Sequence, residues 1–376
     1  MKNKWTSYEL GQLLMYEQPT AYIVQSTDYS DNYDIPVLTA GKSFILGHTN
    51  ETDGVFDRLP VIIFDDFTTA TQYVNFKFKV KSSAMKILNI NTELVLPKYI
   101  FYRIQIIQFD HSTHKRYWIQ EYSKLKVAIP PIEEQQRIVT RIEELFSELD
   151  SAVETLQKTR QQLEVYRQAV LKEAFDGFAE KTTVREMTSI VTSGSRGWAK
   201  YYSDNGAMFI RIGNLTHSGI GIDFSDVQHL CLPENAEGRR SRLVQGDILV
   251  SITADLGSIG LIPENIGEAY INQHIALVRF NNKKQSRFMA WYFRSDCGQK
   301  ELLKNKRGAG KLGLGLDDIR DSLVPVVSDE VAELTVANIE SRLSVCDGIE
   351  KTINEALQQA EAMRQSILKK AFEGNL

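Results

Sequence analysis

The feature of this sequence that most constrains its fold is a twelve-residue segment that occurs twice. Residues 166–177 read YRQAVLKEAFDG and residues 363–374 read MRQSILKKAFEG, with seven identical positions at a constant offset of 197 residues. This period is far longer than the repeat of a solenoid protein, so it indicates two copies of a half-molecule instead of an array. We therefore expect two globular stretches, each followed by a long helix.

Apolar residues recur with a seven-residue period upstream of both copies, as they do at the interface of a coiled coil. The a rows are Ile142, Leu149, Leu156, Leu163 and Val170 in the first copy, and Ile339, Cys346, Ile353, Ala360 and Ile367 in the second. We place the d rows three residues after each a position, so that they include Leu145, Tyr166, Ile349 and Met363, and also Arg342. The pattern favours two helices of roughly forty residues that pack on each other. The alternative is an ordinary amphipathic helix on each domain.

Proline and glycine mark the ends of these helices. Pro131 suits the first turn of the first helix and Gly177 its end, while Pro325 precedes the second helix and Gly374 ends it. Between them, β-rich runs broken by turn residues, such as LPVIIFDD at 59–66 and LVQGDILVSI at 243–252, indicate mixed α/β modules. We divide the chain into residues 1–130, 131–178, 179–325 and 326–376.

Charge follows the same division. Residues 1–130 and 179–325 carry net charges of +1 and +3, whereas residues 131–178 and 326–376 carry −4 each. Slightly basic modules joined by acidic helices make nucleic acid a reasonable partner for the modules and an improbable one for the helices. The excess of positive charge is too small to establish that partner alone.

The rest of the composition is that of a cytoplasmic protein without a membrane partner. We find no N-terminal basic-then-apolar signal and no apolar run of membrane-spanning length. The cysteines Cys231, Cys297 and Cys346 are odd in number and far apart, as expected where thiols stay reduced. They indicate neither a disulfide framework nor a zinc site.

Several segments resemble the specificity subunit of type I restriction-modification systems, the HsdS family. They are IPPIEEQQRIVTRIEELFSELD at 129–150, the repeated RQ-x-x-LK-x-AF-x-G, and the QGDILVS and IPVLTAGKS segments, and the resemblance covers the whole chain. It implies an α+β fold with pseudo-two-fold symmetry, in which two α/β target-recognition domains are separated by two long helices that form an antiparallel coiled coil. The second helix departs from the pattern, because Pro325 and SDEVAE replace the double proline and EEQQ.

The resemblance also implies a function without catalysis in this chain. The subunit would select double-stranded DNA at an asymmetric bipartite site, each recognition domain reading one half and the helices setting the spacing. It would dock two methyltransferase subunits, and the assembled complex would be an adenine-N6 DNA methyltransferase and ATP-dependent endonuclease. S-adenosylmethionine, ATP and Mg would belong to the partner subunits, with no cofactor or metal in this chain. Whether a restriction subunit takes part stays open.

Candidate DNA contacts follow from residue type, because Arg pairs with guanine, Asn and Gln pair with adenine, and Lys, Ser and Thr often bind phosphates. In the first domain the candidates are Thr39, Lys42, Ser43, Thr69, Gln72, Tyr73, His111, His114, Lys115 and Arg116. In the second domain they are Ser193, Ser195, Arg196, Trp198, Arg211, Asn214, Arg239, Arg240, Arg242, Asn272, Gln273, His274, Lys306, Arg307 and Lys311. For any one of them, a solvated surface side chain is the competing interpretation.

Several enzyme motifs are matched only superficially. The GAGKLG segment at 308–313 fits G-x-G-x-x-G but follows a charged helical stretch, and Leu312 stands where a Walker A loop needs Ser or Thr. Asp65 and Asp66 with Lys77 and Lys79 resemble a metal nuclease, yet strand ends commonly carry acids. No H-E-x-x-H spacing or NPPY loop occurs.

Two functions from other classes stay open at this point. The chain could be a coiled-coil scaffold that joins proteins and never touches DNA, or a stand-alone DNA-modifying enzyme with an unfamiliar site. Binding to a randomised duplex pool, with and without a methyltransferase partner, separates these functions from the specificity subunit.

Overall fold

The computed structural model of the chain describes residues 5–39, 43–109, 116–216, 219–233, 239–304 and 313–374. The chain divides into two compact units. Unit 1 comprises Met1–Leu156 and Glu355–Leu376, and unit 2 comprises Gln157–Asn354. Each unit therefore contains one globular module together with a segment of each of two long helices.

The module of unit 1 is built from short strands with two helices. Its strands are β1 (Thr6–Glu9), β2 (Leu14–Glu17), β3 (Ile35–Leu38), β4 (Ile45–Thr49), β5 (Val61–Asp65), β6 (Thr71–Val74), β7 (Lys79–Val80), β8 (Met85–Ile90) and β9 (Lys126–Ile129). Its helices are α1 (Leu10–Leu13) and α2 (Pro97–Ile104), with 3-10 turns at Pro19–Tyr22 and Tyr122–Lys124. The long helix α3 (Ile132–Phe175) follows directly.

These strands form three sheets. A four-stranded antiparallel sheet has the order β2-β8-β5-β6, a three-stranded sheet has the order β4-β3-β7, and β1 pairs with β9. In the three-stranded sheet β3 runs antiparallel to β4 and parallel to β7. In the four-stranded sheet, apolar side chains of the inner strands β5 and β8 lie on both faces. This explains why these two strands are almost continuously hydrophobic.

The module of unit 2 has a similar inventory. Its strands are β10 (Lys181–Thr183), β11 (Thr188–Ser193), β12 (Tyr202–Ser203), β13 (Ala207–Ile210), β14 (Gln228–Leu230), β15 (Ile248–Ser251), β16 (Ile259–Leu261), β17 (Ala269–Ile271), β18 (Ile275–Phe280) and β19 (Leu323–Pro325). Its helices are α4 (Val184–Met187), α5 (Ser286–Arg294), α6 (Asp296–Leu303) and α7 (Leu316–Arg320). The 3-10 turns are Trp198–Tyr201, Ile212–Asn214, Arg239–Ser241 and Lys283–Gln285, and the long helix α8 (Asp329–Glu373) follows.

The sheets of the second module repeat those of the first. The order β11-β18-β15-β16 matches β2-β8-β5-β6, and the pair β10-β19 matches β1-β9. In the sheet β12-β14-β13-β17, strand β13 runs antiparallel to β14 and parallel to β17. Strand β3 of the first module likewise runs antiparallel to β4 and parallel to β7. The duplicated α+β architecture predicted from one short repeated motif is thereby confirmed at the level of strand pairing.

The long helices α3 and α8 contain 44 and 45 residues, or about 66 and 68 Å at 1.5 Å per residue. Their ends agree with the proline and glycine signals. Pro131 lies directly before α3, and its carbonyl accepts the first helical hydrogen bonds, from the amides of Glu134 and Gln135 at 3.0 Å each. Gly177 and Gly374 end the helices with φ of +97° and +78°, a conformation that side chains other than glycine adopt only with strain.

The predicted a rows form part of the helix interface, whereas the predicted d rows lie only partly in it. Every a position of α8 is buried, from Ile339 to Ile367, but the d residues Ile349 and Met363 are 40% and 53% exposed. The d residues Arg342 and Tyr166 contact each other between the helices, Arg342 Nε donating to the Tyr166 hydroxyl at 3.2 Å. A further row lies four residues after a, and in α8 it contains the buried Leu343 and Ala371 and the half-buried Arg364. A row that contains arginine does not stand out by hydrophobicity, so the sequence did not indicate it.

Arginines of the repeated motif form ion pairs between the two long helices within each unit. In unit 2, Arg167 of α3 contacts Asp347 and Glu350 of α8 at 2.6 and 3.0 Å. In unit 1, Arg364 of α8 pairs with Asp150 of α3. Arg364 is Arg167 shifted by the 197-residue repeat, and Asp347 is Asp150 shifted by the same amount. Residues later in α3 contact residues earlier in α8, so the two helices pair antiparallel.

The apolar half of the repeated motif attaches each long helix to a module. Phe175 of α3 packs edge-to-face on Phe288 and Tyr292 of α5, at 5.3 and 5.5 Å between ring centroids. Phe372 of α8, the same position in the second copy, packs edge-to-face on Tyr99 of α2 at 5.3 Å. The repeat therefore encodes one docking contact used twice, once in each unit.

A buried glutamine explains the EEQQ start of α3. Gln135 is fully buried; its side-chain oxygen accepts from the Leu96 amide at 2.7 Å, and its nitrogen donates to the carbonyls of Pro130 and Leu94 at 2.9 and 3.2 Å. In unit 2, Gln285 takes this role from the α5 side, donating to the Val327 carbonyl at 2.9 Å. This difference accounts for the absence of EEQQ from the second helix.

We expect Gln135→Leu to destabilise unit 1 by about 2–3 kcal/mol, because it leaves several buried backbone groups without partners. The matched control is Gln136→Leu, since Gln136 is exposed and donates to Thr140 Oγ1 at 3.3 Å. Urea unfolding followed by tryptophan fluorescence measures both variants. Equal unfolding midpoints would show that the Gln135 network contributes nothing.

Candidate nucleic-acid interface

Four sequence-selected residues line one cleft in the second module. The cleft has a volume of about 410 Å³ and lies where β13 ends and β18 begins. Its lining residues are Arg211, Ile212, Gly213, Asn214, Asp223, Asp226, Asn272 and His274. Segments about sixty residues apart in the sequence thus present polar side chains at one place.

Asn214 organises the loop that presents Arg211. Its side chain is 3% exposed, and its oxygen accepts from the Arg211 amide at 2.8 Å. Its nitrogen donates to the carbonyls of Asp223 and Asp226 at 2.9 Å each. Because all of these bonds go to backbone, Asn214 fixes the shape of the cleft and is not free to read a base, which corrects its selection as a DNA contact.

The opposite side of the cleft is the loop 272–274. The Asn272 amide donates to the Ile210 carbonyl at 3.3 Å, and the Asn272 side-chain oxygen accepts from the His274 amide at 3.0 Å. The His274 ring lies between Thr253 Oγ1, 2.7 Å from Nδ1, and Gln273 Nε2, 2.9 Å from Nε2. An amide nitrogen can only donate, so His274 accepts at Nε2 and donates from Nδ1 to Thr253.

A serine-glycine loop packs against this one. Ser195 forms an isolated parallel β-bridge with Asn272. A Cβ at Gly194 would lie 1.9 Å from the carbonyl oxygen of Ile271, so only glycine permits this approach. Ser193 and Ser195 are half-buried beside it, and Arg196 is exposed.

The cleft offers distinct hydrogen-bonding groups to a base edge. Arg211 can donate two parallel bonds to guanine, and the Asn272 amide can both donate to and accept from adenine. The Arg211 guanidinium lies 3.5 Å from the carboxylate of Asp226, whose side chain is 94% exposed. Such an exposed pair contributes at most about 1 kcal/mol, so DNA could displace it. Sequence reasoning missed Asp223, Asp226 and Thr253, and no pattern in the sequence marks them.

The structure separates the other candidates in this module. Trp198 is 5% exposed and stacks on Phe209 at 5.8 Å between ring centroids, so it is a core residue, and its selection as a DNA contact is corrected. Arg240 and Arg242 are exposed beside the beginning of β17, away from the end that enters the cleft. The side chain of Arg239, and Lys306, Arg307 and Lys311, lie outside the described residues.

The candidates of the first module lie in two places. Thr39 directly follows β3, its amide donating to the Phe44 carbonyl at 2.9 Å, and Ser43 is exposed. Thr69 lies in the turn between β5 and β6 with φ of +58°. Gln72 is exposed on the edge strand β6, next to Tyr73, which packs on Phe101 at 5.6 Å. Arg116 is exposed, and Lys42, His111, His114 and Lys115 lie outside the described residues.

Acidic residues of the first module have structural partners. Asp65 accepts from the Phe67 amide at 2.8 Å, closing the turn after β5. Asp66 is buried, accepts from the Trp118 amide at 2.8 Å and lies 3.7 Å from the ammonium of Lys86. Burial lowers the pKa of Lys86, and Asp66 opposes that shift. These contacts assign both carboxylates to the module's structure.

Within the ranges that the structure describes, no three His, Cys, Asp or Glu side chains are grouped as metal ligands would be. In the same ranges, no helix combines the length and apolar character needed to cross a membrane.

Sequence comparisons find similarity to type I specificity subunits over part of the chain. The model described as the type I restriction modification DNA specificity domain matches residues 2–165. The EcoR124I/EcoR124II specificity subunit of Escherichia coli is 52% identical over 126 residues, 32% of this chain and 31% of that protein. The EcoBI specificity subunit of Escherichia coli is 26% identical over 278 residues, 66% of this chain and 58% of that protein. The matched regions thus span between 31% and 58% of these relatives.

Solved structures share the fold. A chain from work on complex assembly and conformational transition of the type I R-M system superposes with a TM-score of 0.73 at 17% identity, covering 100% of both chains. The HsdS subunit from Thermoanaerobacter tengcongensis gives 0.53 at 16% identity, covering 99% of this chain and 97% of that one. Together with the match over residues 2–165 and the named relatives, these structures show that the chain is similar to type I restriction-modification specificity subunits.

Proposed function

We propose that this chain selects the DNA sequence on which a type I restriction-modification complex acts. Each module reads one half of a bipartite site, and the bases between the two halves are unread. The observation that carries the proposal is the duplication itself: two modules with the same strand pairing end in polar loops of different sequence. One fold with different side chains suits two different half-sites.

The long helices supply a spacer in this proposal. Both run without interruption for 44 and 45 residues, and antiparallel contacts join them within each unit. In this proposal the length of the helix pair sets the gap between the two half-sites of the DNA. Because the modules differ, the selected site would be asymmetric even though the architecture is repeated.

Catalysis belongs to other subunits in this proposal. The chain docks two methyltransferase subunits, one on each copy of the repeated helix pair, since a repeated surface offers two similar sites. The assembled complex would methylate adenine at N6 and cut DNA at the expense of ATP. S-adenosylmethionine, ATP and Mg would bind the partners, and the complex would act in the cytoplasm.

Methylation mapping tests the proposal directly. The chain is produced with its methyltransferase subunit in cells that lack other adenine methylation, and modified adenines are located by sequencing. We expect one motif with two unlike halves and a gap of constant length. The controls are each protein produced alone, which should leave the DNA unmodified. A scaffold would yield no motif in any strain, and a stand-alone enzyme would methylate without the partner; either result contradicts the proposal.

A further inference from the structure

We infer that the loop 81–83 of the first module, Lys81-Ser82-Ser83, is the base-reading loop of that module and the equivalent of the loop 272–274 in the second. Sequence reasoning did not select it. The inference rests on the proposed function and names the residues that carry it in the first half.

Both loops leave the same parallel strand. In the first module Leu38 of β3 pairs with Val80 of β7, and in the second Ile210 of β13 pairs with Ile271 of β17. The next amide bonds back in both cases: that of Lys81 to the Leu38 carbonyl at 2.9 Å, and that of Asn272 to the Ile210 carbonyl at 3.3 Å. Lys81 and Asn272 therefore hold equivalent positions.

Both loops also enter the same central strand. Met85, the first residue of β8, pairs with Asp65 of β5, and Ile275, the first residue of β18, pairs with Ser251 of β15. Just before that strand, a loop side chain accepts from the amide two residues on. Ser82 accepts from Ala84 at 3.4 Å, and Asn272 accepts from His274 at 3.0 Å. The connection 81–84 in the first module is one residue longer than 272–274 in the second, but both turn in the same way.

The equivalence places different chemistry at matching positions. Thr39 follows Leu38 as Arg211 follows Ile210, so Thr39 is the counterpart of Arg211 as Lys81 is of Asn272. Lys81 and Ser82 are exposed and Ser83 is half-buried. The loop 81–83 offers an ammonium and two hydroxyls where the loop 272–274 offers two amides and an imidazole, so the two loops would prefer different bases. This difference is what an asymmetric site requires.

The test maps methylation motifs for three variants of the full chain with its methyltransferase subunit. The first replaces the loop (Lys81→Ala, Ser82→Ala, Ser83→Ala), the second is Asn272→Ala, and the third is Lys77→Ala, an exposed lysine of the same module outside the loop. We expect the loop variant to lose roughly 5- to 150-fold of discrimination at one or more positions in one half-site. Asn272→Ala should relax the other half, and Lys77→Ala should leave the motif unchanged.

Several outcomes would overturn the inference. The loop variant could keep the complete motif, relax the same half as Asn272→Ala, or weaken binding uniformly with a flatter salt dependence, as a phosphate contact would. Hydrogen exchange of β8 in the loop variant, if unchanged, shows that the module still folds. A wild-type complex without any bipartite motif would instead contradict the proposed function, so the two failures are distinguishable.

Discussion

Replacing Phe372 by alanine is expected to destabilise unit 1 by about 3 kcal/mol, near the lower end of the range for buried phenylalanine. The ring is 8% exposed, packs edge-to-face on Tyr99 at 5.3 Å and lies under the Arg103 guanidinium at 5.5 Å. Its loss leaves a cavity between the end of α8 and α2. Hydrogen exchange should show lost protection in α2 and in residues 367–373, together with a lower unfolding midpoint in urea.

Two substitutions control this prediction. Met363→Ala lies on the same helix at a 53% exposed position and should change stability little. Phe175→Ala removes the equivalent contact in unit 2, so protection should be lost in α5 instead of α2. If Phe372→Ala and Met363→Ala lower stability equally, the repeated motif does not dock the helix as described.

Lengthening both long helices by four residues is expected to lengthen the unread gap by one or two base pairs and to leave both half-sites unchanged. Four residues add about 6 Å and about 40° beyond one full turn, whereas a base pair adds 3.4 Å and about 34°. Duplicating residues 153–156 after Leu156 and residues 351–354 after Asn354 inserts the turns at the boundary of the two units. The contacts within each unit, including Arg167–Asp347 and Arg364–Asp150, are then preserved.

The control for this design is the insertion in α3 alone. One helix is then longer than its partner, so Arg167 and Arg364 cannot both keep their acidic partners, and methylation should fall sharply. Methylation mapping measures both variants. If the double insertion is active and modifies the site at the original spacing, helix length does not set the gap.

The repeat and the heptad period predicted much of the architecture. A motif repeated at a 197-residue offset was enough to predict two modules and two paired helices, and the a rows identified one buried face of each helix. These signals are readable because helical periodicity is local in sequence: each turn repeats the same geometry. The row that carries Arg167 and Arg364 was not readable in this way, because in the sequence an arginine at a helix interface resembles one on the surface.

Residue type predicted candidate contacts in the modules but not their placement. Arg211, Asn214, Asn272 and His274 meet at one cleft, where Asn214 bonds to backbone, whereas Trp198 lies inside the module and the loop at Lys81 was overlooked. Which loops converge depends on which strand ends are neighbours in a sheet, and pairing between distant strands leaves no periodic trace in the sequence. The sequence by itself therefore determined the duplication, the helices and the family resemblance. Only the tertiary structure decided which polar residues share a surface, because long-range strand pairing brings them together.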